Sequence, residues 1–155
     1  MEYLSQECYD ALVAELNEMI NVEVPRVKNA IAEARDKGDL SENFEYHAAK
    51  REQAKLFSRI RFKQRVLENA RVMDTSHLKD DVVGLFRKVT MTNMKTNSQM
   101  TYTIVNTHEA NLKEGKISIK SPVAEALTGK AVGDVVEVKV PSGILNLRID
   151  AITVV

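Results

Sequence analysis

The chain has no tryptophan, one cysteine and three prolines among 155 residues, and its charged side chains cancel to a formal charge of zero. Each shortage excludes something. A lone thiol, Cys8, cannot close an internal disulfide, which points to a reducing, cytoplasmic compartment. Three histidines, His47, His77 and His108, are too scattered to form a metal cage. Zero net charge argues against a free-standing nucleic-acid binder, whose affinity draws on counterion release by a basic excess, so any contact with a polyanion must come from a local patch. No run approaches the roughly 18 apolar residues of a membrane span, and the first residues are acidic and amphipathic, so neither a span nor a signal peptide is expected. With four tyrosines, four phenylalanines and 28% charged residues, the chain suits a slender helical element better than one thick core.

What is present falls into two halves of different period. Tyr9, Val13, Leu16, Ile20, Val24, Val27, Ile31 and Ala34 recur at gaps of three and four, the seam of one long helix. Pro25 lies inside it, removing a backbone bond at a cost of about 3 kcal/mol, and predicts a kink rather than an end because the seam keeps phase beyond it. Gly38 supplies the permissive backbone of a helix C-terminus. Tyr46, Ala49, Gln53, Leu56, Ile60, Lys63, Leu67 and Ala70 then form a second seam. So short a connection makes the helices antiparallel, a hairpin of roughly 30 residues per arm and on the order of 45 Å long.

From Val82 the pattern changes to β-branched and partly alternating. "VVGLFRKVTMTN" and "QMTYTIVN" flank a turn at "MKTNS", and strand signals return at "KISIK", "DVVEVKV" and "ILNLRIDAITVV". "PSG" is a tight turn, and in "SPVAEAL" Ser121 is placed as N-cap with Pro122 at the first helical position. The fold class expected is α+β: a coiled-coil hairpin over 1–76 with its tip at about 36–45, a polar linker from Asp74 to Asp81, and a mostly antiparallel sheet with one short helix over 77–155.

The tip, "DKGDLSEN", carries two carboxylates, Asp39 and Glu42. One reading is a capping box: Asp39 accepts from the N–H three residues on, and Glu42 reaches back to the N–H of Asp39. The other is a divalent cation, since Mg²⁺ is held by one or two carboxylates plus ligands from elsewhere, so another molecule would complete the shell.

Charge is unevenly placed along the arms. Residues 1–24 contain six acids and no Lys or Arg, while residues 50–65 contain seven Lys or Arg and one acid. With the turn near residue 40, Glu15, Glu18 and Glu23 fall near Arg65, Phe62 and Phe57, so Arg59, Arg61, Lys63 and Arg65 are expected in interhelical ion pairs. Lys50, Arg51 and Lys55 fall near Arg26, Lys28 and Arg35. Cations facing cations suggest a polyanion along the tip-proximal half.

"GDLSENFEYHAAKREQ" resembles the signature of the bacterial transcript cleavage factors GreA and GreB, and "EYHAAK" is closer to the GreA branch. The likeness extends to "LVAELNEMINVEVPRVKNAIAEARDKGDLSEN", with its internal proline, and to "ISIKSPVAEALTGKAVGDVVEVKVPSG", so it covers the whole chain. The resemblance implies a coiled coil that enters the secondary channel of RNA polymerase and an FKBP-like domain that docks at the channel rim. It implies a factor that is not itself a nuclease. Asp39 and Glu42 match the tip acids that help hold the second Mg²⁺ of the polymerase, whose own centre cuts the 3′ end of backtracked RNA; the presence of both argues against the related inhibitors with remodelled tips. Arg35 and Lys50 match basic positions beside the RNA, Tyr46 matches the tyrosine at the tip, and Arg51 and Lys55 extend the candidate RNA surface. Lys120, Ser121 and Pro122 are candidates for docking on polymerase. Lys120 and Glu125 depart from the residues common there, which suggests an internal pair or a co-adapted contact. Two other readings are a plug that blocks the channel without stimulating cleavage and a prolyl isomerase. For the isomerase, Phe86 and Tyr102 are poor material for an aromatic pocket. Both seams are used internally, so a monomer is expected.

Overall fold

The computed structural model describes residues 2–39 and 42–155; Met1, and Leu40 and Ser41 in the middle of the expected tip, lie outside the described residues. The chain divides into two compact units. One is Gln6–Arg71; the other joins Glu2–Ser5 to Val72–Val155.

The first unit is a helical hairpin. Its first arm is α1 (Gln6–Glu18), one π-helical turn (Met19–Glu23) and α2 (Val24–Arg35), and its second is α3 (Phe44–Asn69). Val27, Ile31 and Ala34 are buried on α2, as are Ala49, Leu56 and Ile60 on α3, with Tyr46 and Phe57 packed at their margin. Pro25 does not end the helix: Glu23 and Val24 keep right-handed helical angles, and the proline falls in the first turn of α2. The wide turn just before it absorbs the disturbance, with Val24 N–H donating to the carbonyl of Met19, five residues back. One residue is thereby inserted. The seam runs Leu16, Met19, Val24, Val27, and Ile20, expected in it, is instead 41% exposed.

Gly38 also differs from expectation. The helix stops at Arg35, Asp36 is the C-cap with right-handed angles, and Gly38 takes its φ of +143° two residues further on, inside the loop.

Strands β1 (Glu2–Leu4) and β2 (Ala70–Val72) form a two-stranded sheet, and within the second unit Met73 N–H donates to the Leu4 carbonyl at 3.0 Å. The expected linker contains a 3₁₀ turn, Thr75–His77, capped by the Asp74 carboxylate on Ser76 N–H at 2.9 Å. A five-stranded sheet follows: β3 (Arg87–Asn93), β4 (Gln99–Val105), β5 (Lys116–Ser118), β6 (Val135–Val140) and β7 (Gly143–Val154), in the order β5-β4-β3-β7-β6. Pairing is antiparallel except between β4 and β5. Among the described residues the one α-helix of this unit is α4 (Pro122–Leu127), whose Ala124 and Leu127 are fully buried in a core with Val89, Met91, Ile104, Val138 and Leu147. This is the sheet with one short helix that the sequence implies.

The β3–β7 register jumps. Thr90 pairs with Ala151 but Met91 pairs with Ile149, so Asp150 is the extra residue of a β-bulge. Inward positions on β7 are therefore Leu147, Ile149 and Ile152. Phe86, with φ of +63°, is buried, so it does not floor an open pocket.

Candidate functional site at the hairpin tip

The start of α3 decides what the tip carboxylates are doing. The N-cap is Asn43, whose side-chain oxygen accepts from Tyr46 N–H at 3.1 Å; α3 begins five residues after Asp39, so the capping box expected of Asp39 and Glu42 is not what starts this helix. Asp39 and Glu42 are exposed, lie outside every helix, and line one open concavity with Lys37, Gly38, Asn43, Phe44 and Glu45. Among the described residues no three Asp, Glu, His or Cys side chains gather as a complete cation site. Two carboxylates fit the partial ligand set that Mg²⁺ takes when the remaining ligands come from elsewhere.

Among the described residues, two side-chain links cross the base of the loop. Asn43 Nδ2 donates to the carbonyl of Ala34 in the last turn of α2, at 2.5 Å. Lys37 Nζ meets Glu45 Oε2 at 2.9 Å, and the hydrogen bond and charge of Glu45 raise the pKa of the lysine.

The cations divide between the edges of the hairpin. Ala30, Glu33, Ala34 and Lys37 of the first arm and its following turn line one edge with Glu45, Ala48, Ala49 and Glu52 of α3. That edge neutralises itself through Lys37–Glu45 and through Arg26–Glu52 at 2.8 Å, a pair whose hydrogen bond and charge raise the pKa of Arg26. At 3.6 residues per turn, Lys28 and Arg35 share the opposite flank of α2, and Tyr46 and Lys50 the opposite flank of α3. Among the described residues that second edge carries no ion pair. Arg51 instead points off the outer surface of α3, and Lys55 lies three residues from Glu52 toward the neutralised edge, so the five candidates do not form one face. Tyr46 is half-buried against the seam, with its ring edge-on to His47 at 5.6 Å, as a stiffening residue would be.

Of the four cations expected in interhelical pairs, Lys63 makes one, to Glu15 at 2.7 Å; among the described residues Arg59, Arg61 and Arg65 make none. In the second unit, Ser121 Oγ accepts from Ala124 N–H at 3.3 Å and donates to the Ser118 carbonyl at 2.6 Å, so this side chain is committed to starting α4. Pro122 is exposed, and Lys120 reaches Glu2 at 3.8 Å rather than Glu125. Glu2 also meets His108 at 3.3 Å, and Ser5 Oγ donates to Glu109. Glu2, Ser5, Glu109 and Asn43 were not singled out from the sequence; for Asn43 the signal was there, an N-cap residue directly before "FEYHAAK".

Comparison with known proteins also divides the chain in two, with Glu2–Ser5 falling in the amino-terminal part. Residues 2–72 match the family model described as "Transcription elongation factor, N-terminal", and residues 78–154 the one described as "Transcription elongation factor, GreA/GreB, C-term". The chain is 44% identical over 149 residues to transcription elongation factor GreA of Christiangramia forsetii, covering 96% of this chain and 94% of that protein. It is 45% identical over 150 residues to GreA of Nitrosococcus oceani, covering 96% and 95%. A solved structure, GreA factor homolog 1 of Thermus thermophilus, is similar at 26% identity and a TM-score of 0.45, covering 98% of each chain.

Proposed function

Because the chain belongs to the GreA/GreB family of transcription elongation factors, we propose that it binds RNA polymerase through the secondary channel and stimulates the polymerase's own cleavage of backtracked RNA, working as a single copy in the cytoplasm. The observation that carries this reading is that Asn43 is the N-cap of α3, while Asp39 and Glu42 both lie exposed on the loop ahead of it.

In this reading Asp39 and Glu42 would hold Mg²⁺ jointly with the polymerase. Held there, such a cation would supply charge neutralisation at a scissile phosphate and activation of a water. The chain's part is placement. α2 and α3 carry the two carboxylates at the end of a packed rod, and the edge of Lys28, Arg35, Tyr46 and Lys50 offers positive charge to the RNA beside them. Lys120 and Pro122 remain the exposed candidates for contact with the channel rim. In this reading the chemistry belongs to the polymerase, and the chain alone is expected to cut no RNA.

The test is cleavage in a stalled, backtracked elongation complex with Mg²⁺, comparing wild type with Asp39→Asn combined with Glu42→Gln, after circular dichroism shows equal helicity. The amides keep shape and remove charge. Shortening of RNA from its 3′ end by wild type and not by the variant supports the reading; equal stimulation by both refutes the metal role, and a wild type that binds without stimulating makes the protein a plug.

A further inference from the structure

We propose that Asn43 is a positioning residue for the tip carboxylates, and that it acts through the donor half of its amide rather than through helix capping. The inference rests on the function proposed above.

The two halves of the amide do different work. Oδ1 accepts from Tyr46 N–H at 3.1 Å and begins α3. Nδ2 donates at 2.5 Å to the carbonyl of Ala34, nine residues earlier and buried at the end of α2. One orientation of the amide satisfies both bonds, since reversal would set oxygen against a carbonyl and nitrogen against an N–H. The half-buried side chain therefore ties the last turn of one helix to the first residue before the next, and residues 35–42, which include Asp39 and Glu42, are the loop so closed.

The other side-chain link across this loop among the described residues is weaker. Lys37 and Glu45 are about two-thirds exposed, and an ion pair so solvated holds little. Gly38 adds freedom inside the loop, with φ of +143° and nothing within 4 Å of where a Cβ would sit. Of the two described links that hold the ends of this loop, the Asn43–Ala34 bond is the better shielded from water. Losing about an ångström of precision at a reacting centre costs on the order of 10-fold to 100-fold in rate.

Serine separates the roles. Asn43→Ser keeps a good N-cap but is too short to reach Ala34, and Asn43→Asp keeps the acceptor while removing the donor. At saturating factor in a backtracked complex, Asn43→Ser should lower maximal cleavage on the order of 10-fold, leave the factor concentration for half-maximal effect within about twofold, and raise the Mg²⁺ concentration needed for half-maximal cleavage. In the isolated protein, hydrogen exchange should accelerate across residues 36–42 and not along α3, a readout independent of cleavage. If Asn43→Ser unwinds the start of α3, Asn43→Asp carries the same comparison. Wild-type cleavage and wild-type loop exchange in a folded variant overturn the proposal. Failure of wild type itself to stimulate, or full activity of the Asp39→Asn, Glu42→Gln protein, overturns the underlying function instead.

Discussion

Glu15 and Lys63 meet at 2.7 Å across the hairpin, and their pairing marks its register. Arg26 and Glu52 meet at 2.8 Å, so eleven residues forward along the first arm match eleven residues back along α3. This register is offset by two residues from a turn centred at residue 40, which placed Glu15 against Arg65. Lys63 keeps 22% side-chain exposure and Glu15 56%, so the pair is a partly solvated one. Glu15→Gln should cost no more than about 1 kcal/mol by urea denaturation in dilute buffer, and the difference should shrink in high salt. A loss that persists in high salt would mean that Glu15 contributes by packing.

The inserted residue of the π turn reverses a ranking drawn from regular spacing. Met19 packs against the seam and Ile20 is 41% exposed. Met19→Ala should destabilise by about 1–2 kcal/mol and Ile20→Ala by less than about 1 kcal/mol. Thermal melts of the two variants decide it, and the opposite order would place an ordinary α-helical turn there.

Lys50 and Lys55 are both exposed lysines on α3, on different edges. If RNA follows the edge of Arg35 and Tyr46, Lys50→Glu should weaken stimulation about tenfold at sub-saturating factor, in line with loss of a charged hydrogen bond. Lys55→Glu should change it by less than twofold. Titrating each variant into the backtracked complex at two salt concentrations gives the answer; equal losses would refer the effect to overall charge.

Asp150, the bulge residue, accepts from Thr92 and Arg148, and the Thr92 hydrogen bond, then that of Arg148, holds its carboxyl below the usual carboxylate range. A lowered folded pKa contributes stability that is present above the unfolded pKa and is lost as pH falls through the folded one. Asp150→Asn should therefore be less stable than wild type near pH 7, and the gap should close in acid. A gap that is constant from pH 7 to pH 2 would assign the effect to bulge geometry rather than to charge.

Much of this architecture is legible in residue spacing. Gaps of three and four located both arms, and Ser121 before Pro122 located α4. The misses share a cause. A π turn and a β-bulge each add one residue without breaking an apolar pattern: Ile20 satisfies the helical count as well as Met19 does, and Ala151 satisfies alternation as well as Ile152 does. At the tip, Asp39 and Asn43 are equally good N-caps by residue type, and where α2 ends chooses between them. Regional charge totals hid Glu52, the one acid among seven cations, which is why Arg26 was grouped with cations that have no such partner.

The placement of Glu2–Ser5 in the second unit bears on how the chain folds during translation. Their partners in that unit, Met73, His108, Glu109 and Lys120, follow them by more than 60 residues. The ribosome therefore delivers the amino-terminal strand well before those partners, whereas the two arms of the hairpin can zip together as soon as α3 clears the exit tunnel. The order of synthesis and the order of completion run opposite ways here, and a truncated product lacking residues beyond about 100 would carry a formed hairpin whose amino-terminal strand keeps its pairing with residues 70–73 but lacks His108, Glu109 and Lys120.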